Sequence, residues 1–402
     1  MEEWKTYRLG DVLQPKGYIR GPFGSALVRA ELKTSGIPVY EQQHAIYNHR
    51  EFRFFIDDIK YEQLKRFTVK TNDIIISCSG TVGFVSLIEE NDPKGVISQA
   101  LLSLRVNQDI ILPKYLMYFL KSEIGHNSII SRSSGSVQVN IAKRDVIENI
   151  HLCLPPIEKQ KKIVEILDSI DSKIAVNNRI NHNLEEQAQA LYKSWFVDFE
   201  PFKDGNFVES ELGMIPEGWR VGSIYEYAEV IYGAPYKSTL FNESGDGLPL
   251  IRIRDLKDCS PQFYSPEVLP NTEYVLKGDI VAGMDADFTP YIWKGSKGLL
   301  NQRVCKFVPI SESISRYYVM MMVKPELEFV SSYKVGTTVS HLGKSDIDRF
   351  TVLLPPVAIV ERYSRIVDSI LGQIVNNSTE ATRLTEQRNS LLPQLMSGKI
   401  TC

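Results

Sequence analysis

The chain repeats itself at an offset of 200 residues: Leu154-Pro155-Pro156 returns as Leu354-Pro355-Pro356. The stretch that follows keeps this register without a gap. Ile166, Asp168, Ser169, Ile170, Ile174, Asn177, Leu184, Glu186, Gln187 and Leu191 each meet an identical residue at the same offset. Upstream the copies are looser. Trp4 aligns with Trp219, Asn72-Asp73-Ile74 with Gly278-Asp279-Ile280, and Ser98-Gln99 with Asn301-Gln302. Gly135, Val139 and Lys143-Arg144-Asp145 align with Gly336, Val339 and Lys344-Ser345-Asp346. The period is far too long for a solenoid. It predicts one divergent globular unit and one better-kept helix, each present twice, with internal pseudo-two-fold symmetry.

The helical part carries the clearest period. Ile163, Leu167, Ile170, Ile174, Asn177, Asn181, Leu184, Ala188, Leu191 and Trp195 recur at spacings of four and three, a heptad seam. The second copy is Tyr363, Val367, Ile370, Ile374, Asn377, Ala381, Leu384, Arg388, Leu391 and Leu395. Both seams hold an asparagine, Asn177 and Asn377, at the same place. A buried amide there costs stability and penalises wrong registers; the alternative is that each faces solvent. A two-fold relation requires the helices to pair antiparallel, through Ile170, Ile174, Asn177, Leu184 and Leu191 on one and Ile370, Ile374, Asn377, Leu384 and Leu391 on the other. The final helix is expected to break near Pro393. Each helix has about 40 residues, hence a length of about 60 Å, or roughly 17 base pairs of duplex.

The globular parts read as mixed α/β (α+β). Asp73–Ser77 and Leu101–Val106 have strand composition. Gly80–Gly83 and Asp92–Gly95 are turns, and Pro113–Leu120 is a helix opened by proline. The expected organisation is a first domain over 1–156, a helical spacer over 157–200, a second domain over 201–356 that begins with a linker at 201–218, and a second spacer over 357–402.

Composition excludes several classes. The chain carries 46 Lys and Arg against 49 Asp and Glu, for a net charge of −3. Residues 1–150 hold 19 cations against 17 anions, and residues 200–350 hold 16 against 21. Such a chain does not bind nucleic acid tightly and non-specifically by itself; it needs local clusters or partners that add positive charge. No apolar run is long enough to span a bilayer, and the acidic N-terminus does not read as a signal peptide. Five cysteines without a CxxC pair fit a reducing cytoplasm.

Motifs for catalysis are weak. There is no GxGxxG and no Asn-Pro-Pro-aromatic run. Gly336 to Ser345 imitates a phosphate loop, but its glycines are too far apart, and the first copy reads Ala142-Lys143-Arg144 instead. Glu31-Leu32-Lys33 with Asp11 upstream resembles a nuclease pattern but is absent from the second copy. The histidines are scattered and predict no metal site.

Loops that mix cationic, amide and aromatic residues are the better candidates. In the first unit these are Lys16, Tyr18 and Arg20 in a glycine-rich segment, Ser79 and Thr81, and Arg132, Ser133, Ser134, Gln138 and Asn140. In the second they are Tyr236, Lys237, Arg252, Arg254, Asp285, Tyr291, Trp293, Lys294, Gln302, Arg303, Thr337, Thr338 and His341. Arginine pairs with guanine and glutamine or asparagine with adenine in the major groove, while Asp285 or Asp287 would accept from cytosine. For each residue alone, an ion pair or a packed aromatic is the plainer reading.

Together these features resemble the specificity subunit of type I restriction–modification systems. The carriers are Trp4 with Leu9-Gly10 and the Trp219 echo, the strand entries at Asp73 and Asp279, and Leu154-Pro155-Pro156 followed by Glu158-Lys159-Gln160 and Ile163. Lys193 to Phe199 and Leu391 to Ile400 complete the set. The second Pro-Pro departs from the pattern, being followed by Val357-Ala358-Ile359-Val360-Glu361. The resemblance implies two target-recognition domains separated by two long antiparallel helices in a coiled coil. Each domain would read one half of a bipartite, asymmetric double-stranded DNA target. The helices would set the gap and dock two modification (methyltransferase) subunits, and ATP-dependent restriction subunits would complete the complex. The resemblance implies a cytoplasmic protein with no membrane contact and no catalysis or cofactor of its own. S-adenosylmethionine belongs to the modification subunit, and ATP and magnesium to the restriction subunit. The alternatives are a protein-binding scaffold without DNA readout, or a recognition domain with a cryptic nuclease or methyltransferase site.

Overall fold

The computed structural model describes residues 4–131, 140–333 and 341–400. It is a mixed helix-and-sheet protein whose contacts divide the chain into two compact units, Met1–Ser172 with Leu384–Cys402, and Lys173–Arg383. Each unit includes one end of each of two long helices, Ile157–Phe196 and Val357–Met396.

In the first unit an antiparallel sheet runs in the order Leu13–Arg20, Leu101–Val106, Ile74–Ser77, Val85–Leu87. Ile74, Ile75 and Ile76 are all fully buried, which is why this strand is an unbroken apolar run rather than an alternating one. A smaller sheet joins Phe55–Ile56, Ile37–Tyr40 and Val96–Ile97, the last two parallel. A third pairing sets Lys5–Arg8 against His151–Leu154, in the register Lys5 to Leu154. The N-terminal strand thus lies beside the one that leads through Pro155-Pro156 into the first long helix. Trp4 ties this corner together: the Lys159 ammonium sits 5.5 Å from its ring, and a Cβ on Gly398 would fall 2.9 Å from the indole. Gly398 also has φ +71°, a conformation that glycine adopts with the least strain.

The segment Lys16–Ser25, expected as a loop, is instead mostly strand up to Arg20. A bulge between Leu13 and Tyr18, with Lys16 at φ 62°, interrupts the alternation that would have announced it. The second long helix also corrects the reading at Pro393, because it continues to Met396. Leu392, Leu395 and Met396 are buried in the first unit's core beside Ile163 and Leu167, and the Pro393 carbonyl still accepts from Ser397 N at 3.0 Å. Apolar packing there outweighs the one donor that proline lacks. Beside it, Arg388 Nη1 donates to Asp171 at 2.8 Å, and the Tyr118 hydroxyl lies 2.9 Å from both Asp168 and Asp171.

The second unit repeats the topology. Its main sheet runs Ala228–Tyr232, Val304–Pro309, Ile280–Gly283, Pro290–Ile292. Its smaller sheet joins Tyr264–Ser265, Leu248–Ile251 and Gly298–Leu300, the last two again parallel, and adds Tyr274–Val275. Arg220–Ser223 pairs with Thr351–Leu354 in the register Arg220 to Leu354. Within the 201–218 stretch, Phe207–Ser210 and Gly213–Pro216 form a hairpin.

The helical segments of this unit pack Trp195 and Phe196 against Tyr363, Tyr318 and Trp219, with ring centroids 5.0–6.2 Å apart. Further along, amides bridge the two helices. Asn177 is 1 % exposed, and its Nδ2 donates to Glu380 Oε2 at 2.8 Å. Asn181 Nδ2 donates to Ser378 Oγ at 2.9 Å and to the Ile374 carbonyl at 3.2 Å, while its Oδ1 accepts from Asn377 Nδ2 at 2.9 Å. Residues 177–181 thus lie against 374–380 with the chain directions opposed.

Candidate nucleic-acid interface

The elements that carry the candidate residues start from matched turns. Asn72 (φ 71°) and Gly278 (φ 84°) supply the left-handed residue just before Asp73 and Asp279. Each aspartate accepts from a backbone N–H three residues earlier, Lys70 and Leu276, both at 2.8 Å. These turns launch the central strands Ile74–Ser77 and Ile280–Gly283.

At the far end of each central strand the backbone is wired alike. Cys78 N donates to Ala100 O at 2.9 Å and Cys78 O accepts from Ile141 N at 2.9 Å; Met284 N donates to Arg303 O at 2.9 Å and Met284 O accepts from Leu342 N at 2.7 Å. Isolated bridges follow, Ser79 with Asn140 and Asp285 with His341. A glycine permits the neighbouring strand to close in. A Cβ on Gly21 would stand 1.9 Å from Ser98 O, and one on Gly233 would stand 2.1 Å from Asn301 O.

In the first unit this frame borders a cleft of about 700 Å³ lined by Tyr18, Arg20, Phe23, Arg66, Phe67, Asn140, Lys143 and Arg144 among others. Among the described residues, four cations and three aromatic rings line it and no carboxylate does. Arg20 Nη1 donates to the carbonyls of Gln99 at 2.5 Å and Leu101 at 2.8 Å, so its charge is held in place, and its guanidinium lies 5.3 Å from the Phe23 ring. Arg144 lies over Tyr18 at 5.1 Å while pairing with Glu148 at 2.8 Å. Burial pushes the Tyr18 phenol up to about 12, so it remains protonated. Ser79 Oγ donates to Asn140 Oδ1 at 2.9 Å. Lys16 and Thr81 are exposed. Arg132, Ser133, Ser134 and Gln138 lie outside the described residues.

In the second unit the frame gathers Asp285, Arg303 and His341. Asp285 Oδ1 lies 2.7 Å from His341 Nδ1, and Asp285 Oδ2 lies 3.3 Å from Arg303 Nε. Each carboxylate oxygen thus holds one neighbour, and Asp285 orients both side chains. Asp287 is exposed and accepts from Thr289 N at 2.9 Å and from the Tyr291 hydroxyl at 3.2 Å. Gln302, Lys237 and Arg254 are exposed. Arg252 is half-buried, pairs with Asp255 at 3.3 Å and stacks 4.3 Å from Phe263. Two candidates are corrected. Trp293 has no exposed surface and donates to Ser296 O at 2.8 Å, a core residue of the strand end. Tyr236 is 6 % exposed with its hydroxyl on Thr272. Lys294 pairs with Glu185 of the long helix, and both line a separate cleft of the second unit together with Tyr291. Thr337 and Thr338 lie outside the described residues.

Sequence reasoning passed over Phe23, Arg66, Phe67, Lys143 and Arg144 as contact candidates. The signal was present in Lys65-Arg66-Phe67, where cations and an aromatic interleave. Lys143-Arg144 stood out only as a repeat landmark.

Residues 1–186 and 216–391 match the family model described as type I restriction modification DNA specificity domain. The chain belongs to this family. It is 24% identical over 478 residues to the HindI type I restriction enzyme specificity subunit of Haemophilus influenzae, covering 100% of both chains. It is 28% identical to the MjaIX specificity subunit of Methanocaldococcus jannaschii, over 83% of this chain and 80% of that one. Among solved structures, the type I restriction–modification S subunit from M. genitalium aligns with a TM-score of 0.59 at 13% identity, covering 98% of this chain and 96% of the other. That likeness shows a shared fold. No helix among the described residues of this specificity-family chain is long and apolar enough to cross a membrane.

Proposed function

We propose that this chain is the DNA-reading, non-catalytic specificity subunit of a type I restriction–modification complex. Residues 1–156 and 201–356 act as two target-recognition domains, each reading half of a bipartite double-stranded target. The helical spacers 157–200 and 357–402 pair as an antiparallel coiled coil, set the number of base pairs between the half-sites and dock two methyltransferase subunits. Restriction subunits join that assembly in the cytoplasm. S-adenosylmethionine, ATP and magnesium belong to the partners.

One observation carries this reading: two globular units share a backbone frame down to individual hydrogen bonds, yet differ in the side chains at its end. A scaffold kept while its tips diverge is what two heads reading different bases require. The cationic, aromatic-lined cleft beside Tyr18 and Arg20 supplies phosphate and sugar contacts, which position the duplex, while polar side chains on the frame discriminate bases. The near-neutral net charge fits a protein whose partners supply the remaining phosphate contacts.

The test is selection of bound duplexes from a random pool by the chain together with its methyltransferase subunit. The expected result is two short specified sequences separated by a fixed unspecified interval. Recovery of no common sequence would overturn the reading and leave a protein scaffold.

A further inference from the structure

Resting on that reading, we propose that three matched positions determine the base each domain discriminates: Ser79, Ala100 and Asn140 in the first, and Asp285, Arg303 and His341 in the second.

The backbone bonds make these positions equivalent. Cys78 and Met284 each donate to the residue at the second position and accept from the residue just after the third. The first and third positions are joined in both domains by an isolated bridge. With the main chain held constant, the side chains are the variable, and they differ in chemistry at every position.

The second domain presents a charged set. The Asp285 carboxylate is 22% exposed and braces two side chains that stand about half in solvent, Arg303 at 51% and His341 at 49%. Asp285 is a positioning residue. It holds the guanidinium by Nε and so limits the orientations of the fork. A fixed guanidinium fork matches the two acceptors, O6 and N7, on the major-groove edge of guanine.

The first domain presents a neutral set. The Ser79 hydroxyl donates to Asn140 Oδ1 at 2.9 Å, which sets the orientation of the amide. Ala100 offers only a methyl where the second domain has arginine. An amide carries a donor and an acceptor together, the pattern of the adenine major-groove edge. The geometry therefore assigns a guanine contact to Arg303 and an adenine contact to Asn140, in different half-sites.

The experiment uses the chain complexed with its methyltransferase subunit, with selection of duplexes repeated for Arg303→Ala, Arg303→Lys, Asp285→Asn and Asn140→Ala. Arg303→Ala installs the first domain's side chain. It should lower discrimination at one G·C pair by about tenfold to a hundredfold and leave the other half-site unchanged. Arg303→Lys keeps the charge and loses the fork, so it should relax the same pair. Asp285→Asn should relax that pair too, although Asp285 touches no base, a coincidence that general loss of folding would not produce. Asn140→Ala should relax one A·T pair in the opposite half-site. Melting curves of each variant establish that the domains remain folded. The proposal is overturned if folded variants keep every base preference, or if affinity falls uniformly with no position relaxed. If the unaltered complex selects no sequence at all, the DNA-reading function itself fails, and the assignment of bases with it.

Discussion

The two globular domains are alike where the chain must turn and unlike where it ends. Both enter the central strand through a left-handed residue and a capping aspartate, and both close the neighbouring strand over a glycine. Past the strand end, the bridged pair Ser79 and Asn140 of one domain corresponds to the bridged pair Asp285 and His341 of the other. Backbone geometry tolerates few residue types, whereas an exposed side chain on a rigid frame can vary at little cost to folding. Divergence therefore concentrates at the frame's tip.

The most disruptive way to break the likeness is to fill the closure. Gly21→Val should cost about 3 kcal/mol, because the added atoms collide with the Ser98 carbonyl, and Gly233→Val should cost about as much against Asn301. Denaturant unfolding followed separately for each domain checks this. Each loss should be confined to the domain that carries the substitution; a loss in both, or in neither, would contradict the matched closure.

A smaller effect comes from a position where the repeats differ, Asn181 against Ala381. Asn181→Ala removes bonds to Ser378, Ile374 and Asn377 and leaves the Asn377 amide without that partner. About 1–2 kcal/mol of stability should be lost. Thermal melting of the variant checks this, and an unchanged melting temperature would contradict the stabilising role of the amide bridge.

The smallest effect is on pH dependence. Both domains cap a short helix from its third residue, with His44 Nδ1 accepting from Glu41 N at 2.7 Å and Asp255 Oδ2 accepting from Arg252 N at 3.0 Å. His44 is fully buried, and desolvation lowers its pKa from 6.5. The unfolded chain then binds the proton more readily than the folded one. The contribution is complete above pH 6.5 and is lost as pH falls toward the lowered value. Stability of the first domain should therefore drop on mild acidification through this range, and His44→Asp should remove that dependence. A His44→Asp variant that keeps the same pH profile would contradict the assignment.

The sequence made some of this legible. Turns and long helices depend on local residues, so the Asp73 and Asp279 entries and the heptad seam announce themselves. The strand Leu13–Arg20 was masked by its bulge at Lys16 and Gly17. Trp293 follows Ile292 and both are buried, so no alternation marked the tryptophan as core. Pro393 broke a local rule that tertiary packing of Leu392, Leu395 and Met396 overrode. The bridge between Ser79 and Asn140 joins residues 61 apart in the chain, and nothing local predicts such a partner.

Exchange of one whole domain tests the account most directly. Residues 1–156 are replaced by the corresponding domain of another specificity subunit, the chain is assembled with its methyltransferase partner, and the selected duplexes are sequenced. One half-site should change, while the other half-site and the interval stay as they were. Alteration of both half-sites would contradict the claim that the two domains read DNA independently.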